Sequence, residues 1–232
     1  MISIITSLYK SEQHLPRFIK RVKRMDKYLN KKGTVHEFII LPNNPSDKEK
    51  EILKQSIGNA RIIPRDLESL YATWNMGVKS AKYDIVCFWN VDDMRFGKGI
   101  LAGLKDIKEG ADIVYFSFIY FRYLRIGSIK ILAKMKLSIS PIFNREVFSK
   151  EMRCDPFFMV NKRSFSKIGF FDETFFVAGD YDWCVRAALY GLTFKRNTTI
   201  AGIFTSDGKT LSGSKSTRHA MENEKIHNMN RS

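Results

Sequence analysis

The stretch Phe88-Trp89-Asn90-Val91-Asp92-Asp93 sets two adjacent carboxylates directly after an apolar run. Neighbouring anions at the mouth of a buried strand repel one another unless positive charge lies beside them. A divalent cation with a diphosphate meets that need, because hard oxygen ligands suit Mg²⁺ or Mn²⁺. An Asp-Asp turn that only ends a strand is the competing reading. A second acidic stretch, Gly179-Asp180-Tyr181-Asp182-Trp183-Cys184-Val185-Arg186, opens a helical pattern. Asp180 is there either a helix N-cap or a general base that takes a proton from an attacking hydroxyl. Asp182 or Arg186 would support it, the guanidinium holding a carboxylate by a two-pronged contact. In Glu68–Gly77, Tyr71 and Trp74 follow the spacing of a core helix, whereas Asn75, and Lys79 beyond it, are polar members that could face strand ends.

The elements that must hold these residues follow from periodicity. Ile2–Leu8, Glu37–Leu41, Ala60–Ile63 and Asp84–Trp89 are short apolar runs, the signature of buried strands. Between them lie amphipathic pieces. Leu15, Phe18, Ile19, Val22, Met25 and Leu29 recur at helical spacing, Lys48–Ile57 forms a second piece, and Leu67 to about Ala81 a third. The first 95 residues therefore read β-α-β-α-β-α-β, which implies a parallel sheet with helices on both faces. Ligands on such sheets bind at the carboxyl ends of the strands, here Thr6–Tyr9, Asn43-Asn44 and Asn90–Asp93. Further on, Ile113–Phe121 and Phe157–Val160 read as strands. Arg163–Ile168 reads as a short helix closed by Gly169, and Asp180–Tyr190 as a helix capped by Gly191. Tyr123–Ser140, basic and apolar by turns, fits neither period, and the last twenty residues read as polar and basic with mobile ends.

A chain of 232 residues, 44% hydrophobic and 27% charged, is globular and large enough for one α/β domain. Its net charge of +15 suits polyanionic partners: nucleic acid, anionic membrane or phosphorylated small molecules. Residues 17–32 hold eight Lys/Arg against one acid, and residues 113–145 hold six with no acid. The second stretch is either a solvated basic face or, with its Phe, Tyr and Leu, a surface that docks on anionic membrane. There is no nucleic-acid-binding signature, so nucleic acid is not an expected partner. Cys87, Cys154 and Cys184 are odd in number and lack CxxC spacing, which points to a reducing compartment rather than a disulfide framework. No run reaches the length of a membrane span, and the amino terminus has no signal-peptide pattern, so the expected location is cytoplasmic with peripheral membrane contact. His14, His36, His219 and His227 lack metal-ligand spacing and read as surface or packing residues, His219 being the exception because a carboxyl-terminal segment could fold over a bound ligand.

The order of these pieces resembles family 2 glycosyltransferases of the GT-A fold. Ser3-Ile4-Ile5-Thr6-Ser7-Leu8-Tyr9-Lys10 is similar to the family's opening strand. Glu37–Asn44 is similar to its second strand. Trp74–Ala81 followed by Asn90–Asp93 is similar to the Asn-x-Gly helix leading to a DXD-type metal site. Lys167–Glu173 and Asp180-Tyr181-Asp182-Trp183 resemble the acceptor segment and the acidic base motif. The resemblance covers about residues 2–213. Three positions depart from the pattern: Pro42-Asn43 stand in place of Asp-Asp, Asn90 in place of the first acid of the metal motif, and Gly179 in place of a frequent Glu.

The resemblance implies an α/β, GT-A-like fold with a mostly parallel central sheet. Its donor half would be residues 1–95, its acceptor half 96–213, and 214–232 a basic tail. It implies a nucleotide-diphosphate sugar donor, a glycan or lipid-linked acceptor, and Mn²⁺ or Mg²⁺ as cofactor. Thr6, Tyr9, Asn43, Arg65 and Asn75 would contact the nucleotide, Asp92 and Asp93 the metal and diphosphate. Asp180 would be the base of an inverting displacement. Ser206–Ser212 resembles the loop after the last strand, with Lys209 within reach of the diphosphate. A catalytically inactive sugar-nucleotide binder remains an alternative, because neutral amides ligate metal poorly. A nucleotidyltransferase is weaker, since Thr6–Ser11 lacks the glycines of a triphosphate loop.

Overall fold

The computed structural model describes residues 1–54, 60–126, 129–151, 153–154, 156–207 and 217–229. In chain order the elements are β1 (Ile2–Leu8), α1 (Leu15–Lys31), β2 (His36–Pro42), α2 (Asp47–Lys54), β3 (Ala60–Ile62), α3 (Leu70–Ser80), β4 (Ile85–Phe88), β5 (Met94–Arg95), α4 (Gly97–Lys108), β6 (Ile113–Ile126), β7 (Ile129–Ser138), α5 (Arg145–Phe148), β8 (Met159–Asn161), α6 (Arg163–Ile168), α7 (Gly179–Tyr190), β9 (Phe194–Ser206) and α8 (Thr217–Met229).

One sheet runs β3-β2-β1-β4-β8-β6-β9-β5, with β7 paired to β6. Strands β3, β2, β1 and β4 are parallel. Strand β8 is antiparallel to both β4 and β6, so β6 runs with β4, and β9 is parallel to β6. This is the mostly parallel α/β sheet expected from the alternation.

Because successive side chains in a strand point to opposite faces, a strand covered on both sides must be apolar throughout. The strands show this split. Ile5, Val86, Phe88, Ile113 and Tyr115 enter the core beneath α3 and α7. Ile2, Ile4, Cys87, Trp89, Val114 and Phe116 enter the core beneath α1 and α4. Helix α1 buries Leu15, Phe18, Ile19, Val22, Met25 and Leu29, the six positions read from its period. Gly169 and Gly191 close α6 and α7 at positive φ, as expected of C-terminal glycines. None of the three cysteines forms a disulfide. Among the described residues no helix is long and apolar enough to cross a membrane.

Two regions differ from the sequence reading. Within Tyr123–Ser140, residues 123–126 form the outer part of β6 and residues 129–138 form β7, an antiparallel ribbon with a bulge at Arg122/Tyr123. The carboxyl-terminal segment forms α8, whose Ile226 is buried in the core.

Candidate active site

The strands β1, β2 and β4 end side by side. The Asn43 N–H donates to the Leu8 carbonyl at 2.8 Å, and the Trp89 N–H donates to the Ile5 carbonyl at 2.9 Å. Lys10 and Asn44, just past β1 and β2, have positive φ, uncommon for residues with a side chain. Strain of this kind concentrates at functional loops. At the same edge, α3 starts with Ser69 as its cap, accepting from the Ala72 N–H.

The predicted nucleotide residues divide into two groups. Tyr9, just past β1, is 49% exposed, with the Lys10 ammonium 5.2 Å from its ring centre. Thr6 lies within β1 opposite Ile40 and is 2% exposed. Asn43 uses its amide internally: Nδ2 donates to the Glu68 carbonyl at 2.8 Å and to Thr73 Oγ1 at 3.2 Å, and Oδ1 accepts from the Glu68 N–H. Arg65 is held by Glu68 through two parallel bonds of 3.0 Å. Asn75 is buried and clamps the loop after α6, donating to the Phe171 carbonyl and Glu173 Oε1 at 2.9 Å while accepting from the Phe171 N–H. Asn43 and Asn75 thus shape the mouth through internal bonds, and Tyr9 and Arg65 are the members nearest solvent.

The adjacent acids also divide. Asp93 is 1% exposed and its Oδ1 accepts from the Thr205 N–H at 2.9 Å, which ties the β4–β5 loop to β9. Burial, then the neighbouring Asp92, holds its carboxyl well above the usual range. Asp92 is half-buried, and burial raises its carboxyl too, with Asp207 adding to the rise and His14 and Lys130 opposing it. Lys130 lies 3.3 Å from Asp207. Arg21 supports the loop from below, donating to the Asp93 carbonyl at 2.8 Å. Among the described residues no group of three His, Cys, Asp or Glu side chains is placed to hold a metal. A Mg²⁺-type ion commonly takes one or two carboxylates and fills its remaining positions with phosphate and water. Asp92 fits that role; the inward-turned Asp93 does not.

Asp180 lies in the first turn of α7, and its Oδ1 accepts from the Tyr181 N–H at 2.9 Å. The Tyr71 hydroxyl donates to the Val177 carbonyl at 2.6 Å and lies 3.2 Å from Asp180 Oδ1. Burial, then the charge of Asp180, raises the Tyr71 phenol well above its ordinary value. Since Tyr71 begins α3 at the strand ends, Asp180 lies on the same carboxyl edge as Asp92. Gly179 explains one departure from the family pattern: a Cβ there would meet the Tyr71 ring at 2.7 Å. Asp182 is buried against Arg186, whose Nε donates to it at 2.9 Å, while Nη1 and Nη2 donate to the Ile168 and Phe170 carbonyls. The pair fastens α7 to the preceding loop.

The sequence reading passed over the residues that hold this site together: Glu68, Tyr71 as a partner of Asp180, His14 and Lys130 beside Asp92, and Asp207. Glu222 of α8 is another, accepting from three backbone N–H groups, those of Phe176, Val177 and Ala178, at 2.8–3.0 Å ahead of α7. Lys209 and the His219 side chain lie outside the described residues.

Comparison with known proteins decides the family. The model of glycosyl transferase family 2 matches residues 3–169, which is most of the chain. The chain belongs to glycosyl transferase family 2. The matched span includes β1, Asn43, α3 and Asp92, and stops short of Asp180. A search of curated proteins gives no significant match. Among solved structures this family 2 chain is similar to S. aureus TarS 1–349 in complex with UDP-GlcNAc, with a TM-score of 0.71 and 14% identity over 99% of the chain and 65% of TarS 1–349. It is similar to the same protein in complex with UDP, with a TM-score of 0.68. Against a longer TarS structure the TM-score is 0.66 at 15% identity, covering 90% of the chain and 37% of TarS. These likenesses establish a shared GT-A-type fold, and the family 2 chain spans less than two thirds of TarS 1–349.

Proposed function

We propose that the chain is a glycosyltransferase that moves a sugar from a uridine-diphosphate sugar to an acceptor hydroxyl, with inversion at the anomeric carbon. The observation that carries this reading is the placement of two partly exposed carboxylates, Asp92 and Asp180, on one carboxyl edge in a family 2 chain. The TarS complexes with UDP-GlcNAc and UDP support uridine diphosphate as the carrier. The acceptor is a glycan or a lipid-linked hydroxyl compound.

Tyr9 stacks on the base, and Arg65, fixed by Glu68, lines the same end. Asp92 would hold the divalent cation, which when bound neutralises charge on the departing diphosphate. Asp180 accepts the proton of the acceptor hydroxyl as its oxygen forms the new bond to the anomeric carbon and the bond to the diphosphate oxygen breaks. Tyr71 keeps the carboxylate oriented from the donor side.

Donor titration and turnover of two variants test this. Asp180→Asn should bind donor with near-normal affinity and transfer roughly a hundredfold more slowly, since a general base contributes about 10²–10⁴. Asp92→Asn should lose donor affinity and rate together. Near wild-type turnover of Asp180→Asn would refute the assignment.

A further inference from the structure

Apart from Lys130, which lies beside Asp207 near Asp92, the catalytic reading leaves the ribbon formed by β6 and β7 unused. Strand β6 pairs with β9 as far as Arg122, and beyond that the pairing continues with β7 alone, out to Ile126 opposite Ile129. Because β6 runs with β4, the ribbon projects from the carboxyl edge that bears Asp92. Isolated two-stranded ribbons are marginal in water and need a covering surface.

What the ribbon exposes is unusual for a solvated edge. Leu124 and Ile131 are paired directly on one face and are 51% and 46% exposed. On the other face Leu132, Met135 and Leu137 are 46%, 67% and 50% exposed, and Ile139 and Ile142 continue the apolar surface at 63% and 77%. Lys134 and Lys136 stand opposite Arg122 and Tyr120, and among the described residues no carboxylate pairs with them. Residues 113–145 contain no acid.

We infer that this ribbon docks the protein on an anionic lipid bilayer. A protein partner covers one face of a ribbon, whereas a bilayer interface surrounds both, which fits aliphatic side chains on the two faces. Interfacial elements immerse apolar groups about 5–10 Å and keep cations at the headgroups; here Lys134 and Lys136 share the face of Leu124 and Ile131, and Met135 and Leu137 lie on the opposite face. Docking through the ribbon holds the carboxyl edge close to the membrane.

The test is co-sedimentation of the full chain with vesicles of phosphatidylcholine alone and of phosphatidylcholine with phosphatidylserine, at low and high salt. Binding should need phosphatidylserine and weaken with salt. Lys134→Gln and Lys136→Gln should each weaken it about fivefold, the equivalent of about 1 kcal/mol per basic residue near the surface. Met135→Ser/Leu137→Ser should weaken it further, with donor affinity unchanged. Lys20→Gln/Lys23→Gln, on the exposed face of α1, should leave binding as it is. Equal loss in the α1 variant, equal binding to both vesicles, or binding to neither would overturn the inference. A concentration-dependent dimer abolished by Met135→Ser/Leu137→Ser, with vesicle binding intact, would overturn it as well and give the face to a second copy.

Discussion

Tyr71 is the residue at which α3 meets the start of α7, and its neighbour Gly179 leaves room for the ring. Its ring packs against Trp74 at 5.7 Å and Phe171 at 5.9 Å, so it has little room to retreat from a methyl group at position 179. Gly179→Ala should therefore cost about 1–3 kcal/mol, as overpacking typically does, and slow transfer by shifting Asp180. Thermal unfolding of a double-mutant cycle checks the cause: in a Tyr71→Leu background, Gly179→Ala should be close to neutral, and additive losses would sink the steric explanation. Tyr71→Phe should cost about 1 kcal/mol through the lost hydrogen bond and reduce turnover more than donor affinity. At this scale the sequence was only partly legible. Asp92 and Asp180 stand out as acids at element ends. The bonds of Asn43 and Asn75 do not, because Asn75 finds its partners 96 and 98 residues away. No local spacing announces that an amide is already engaged.

Among the elements, α8 has a consequence for the candidate site beyond its own packing. Glu222 caps the start of α7 from outside, so the carboxylate that fixes Asp180's helix comes from the polar carboxyl-terminal segment. Burial alone would raise the Glu222 carboxyl, but the N–H groups of Val177, Phe176 and Ala178, with Arg218, outweigh it and hold it below its ordinary value. A depressed folded value means stability that is present above the unfolded value and lost as pH falls through the folded one. The wild type should thus lose stability on the acid side of the ordinary glutamate range. Glu222→Gln should be less stable by about 1.5–3 kcal/mol at neutral pH and show a flatter acid limb in chemical denaturation. An unchanged limb would mean that another carboxylate sets it. The strands with both faces buried, and α1 with its wide apolar stripe, were legible because burial imposes a pattern. Helix α4 was not, because Gly99 and Gly103 interrupt its apolar face. Those glycines admit Ala201 and Met159, which an added Cβ would meet at 2.8 and 2.3 Å. Strand β7 alternates lysine with exposed aliphatics and buries neither set, and α8 buries few residues, so neither shows the contrast that periodicity needs.

For the whole molecule, the fold brings the ends of β1, β4 and β9 and the start of α7 to one edge, and a ligand that bridges them adds to global stability. Free ligand at about 100 times its dissociation constant stabilises the folded state by about 2.7 kcal/mol. In a chain of this size each kcal/mol shifts the melting temperature by about 2–4 °C, so UDP with Mn²⁺ should raise it by roughly 5–10 °C. Part of that increment should vanish with EDTA, because the diphosphate would approach a loop whose carboxyls are already raised by burial, with Asp207 adding to the rise at Asp92 and Asp92 to that at Asp93. The two adjacent acids should then separate cleanly. Asp92→Asn should lose the metal-dependent increment. Asp93→Asn keeps an oxygen for the Thr205 N–H, so it should retain the increment even where its own baseline melting temperature moves. Differential scanning fluorimetry of the three proteins, with UDP alone, Mn²⁺ alone and both, gives the answer. Loss of the increment in Asp93→Asn as well would show that the loop turns Asp93 outward on binding. A full increment in EDTA would show that cationic side chains such as Lys130 and His14, rather than a metal, meet the diphosphate.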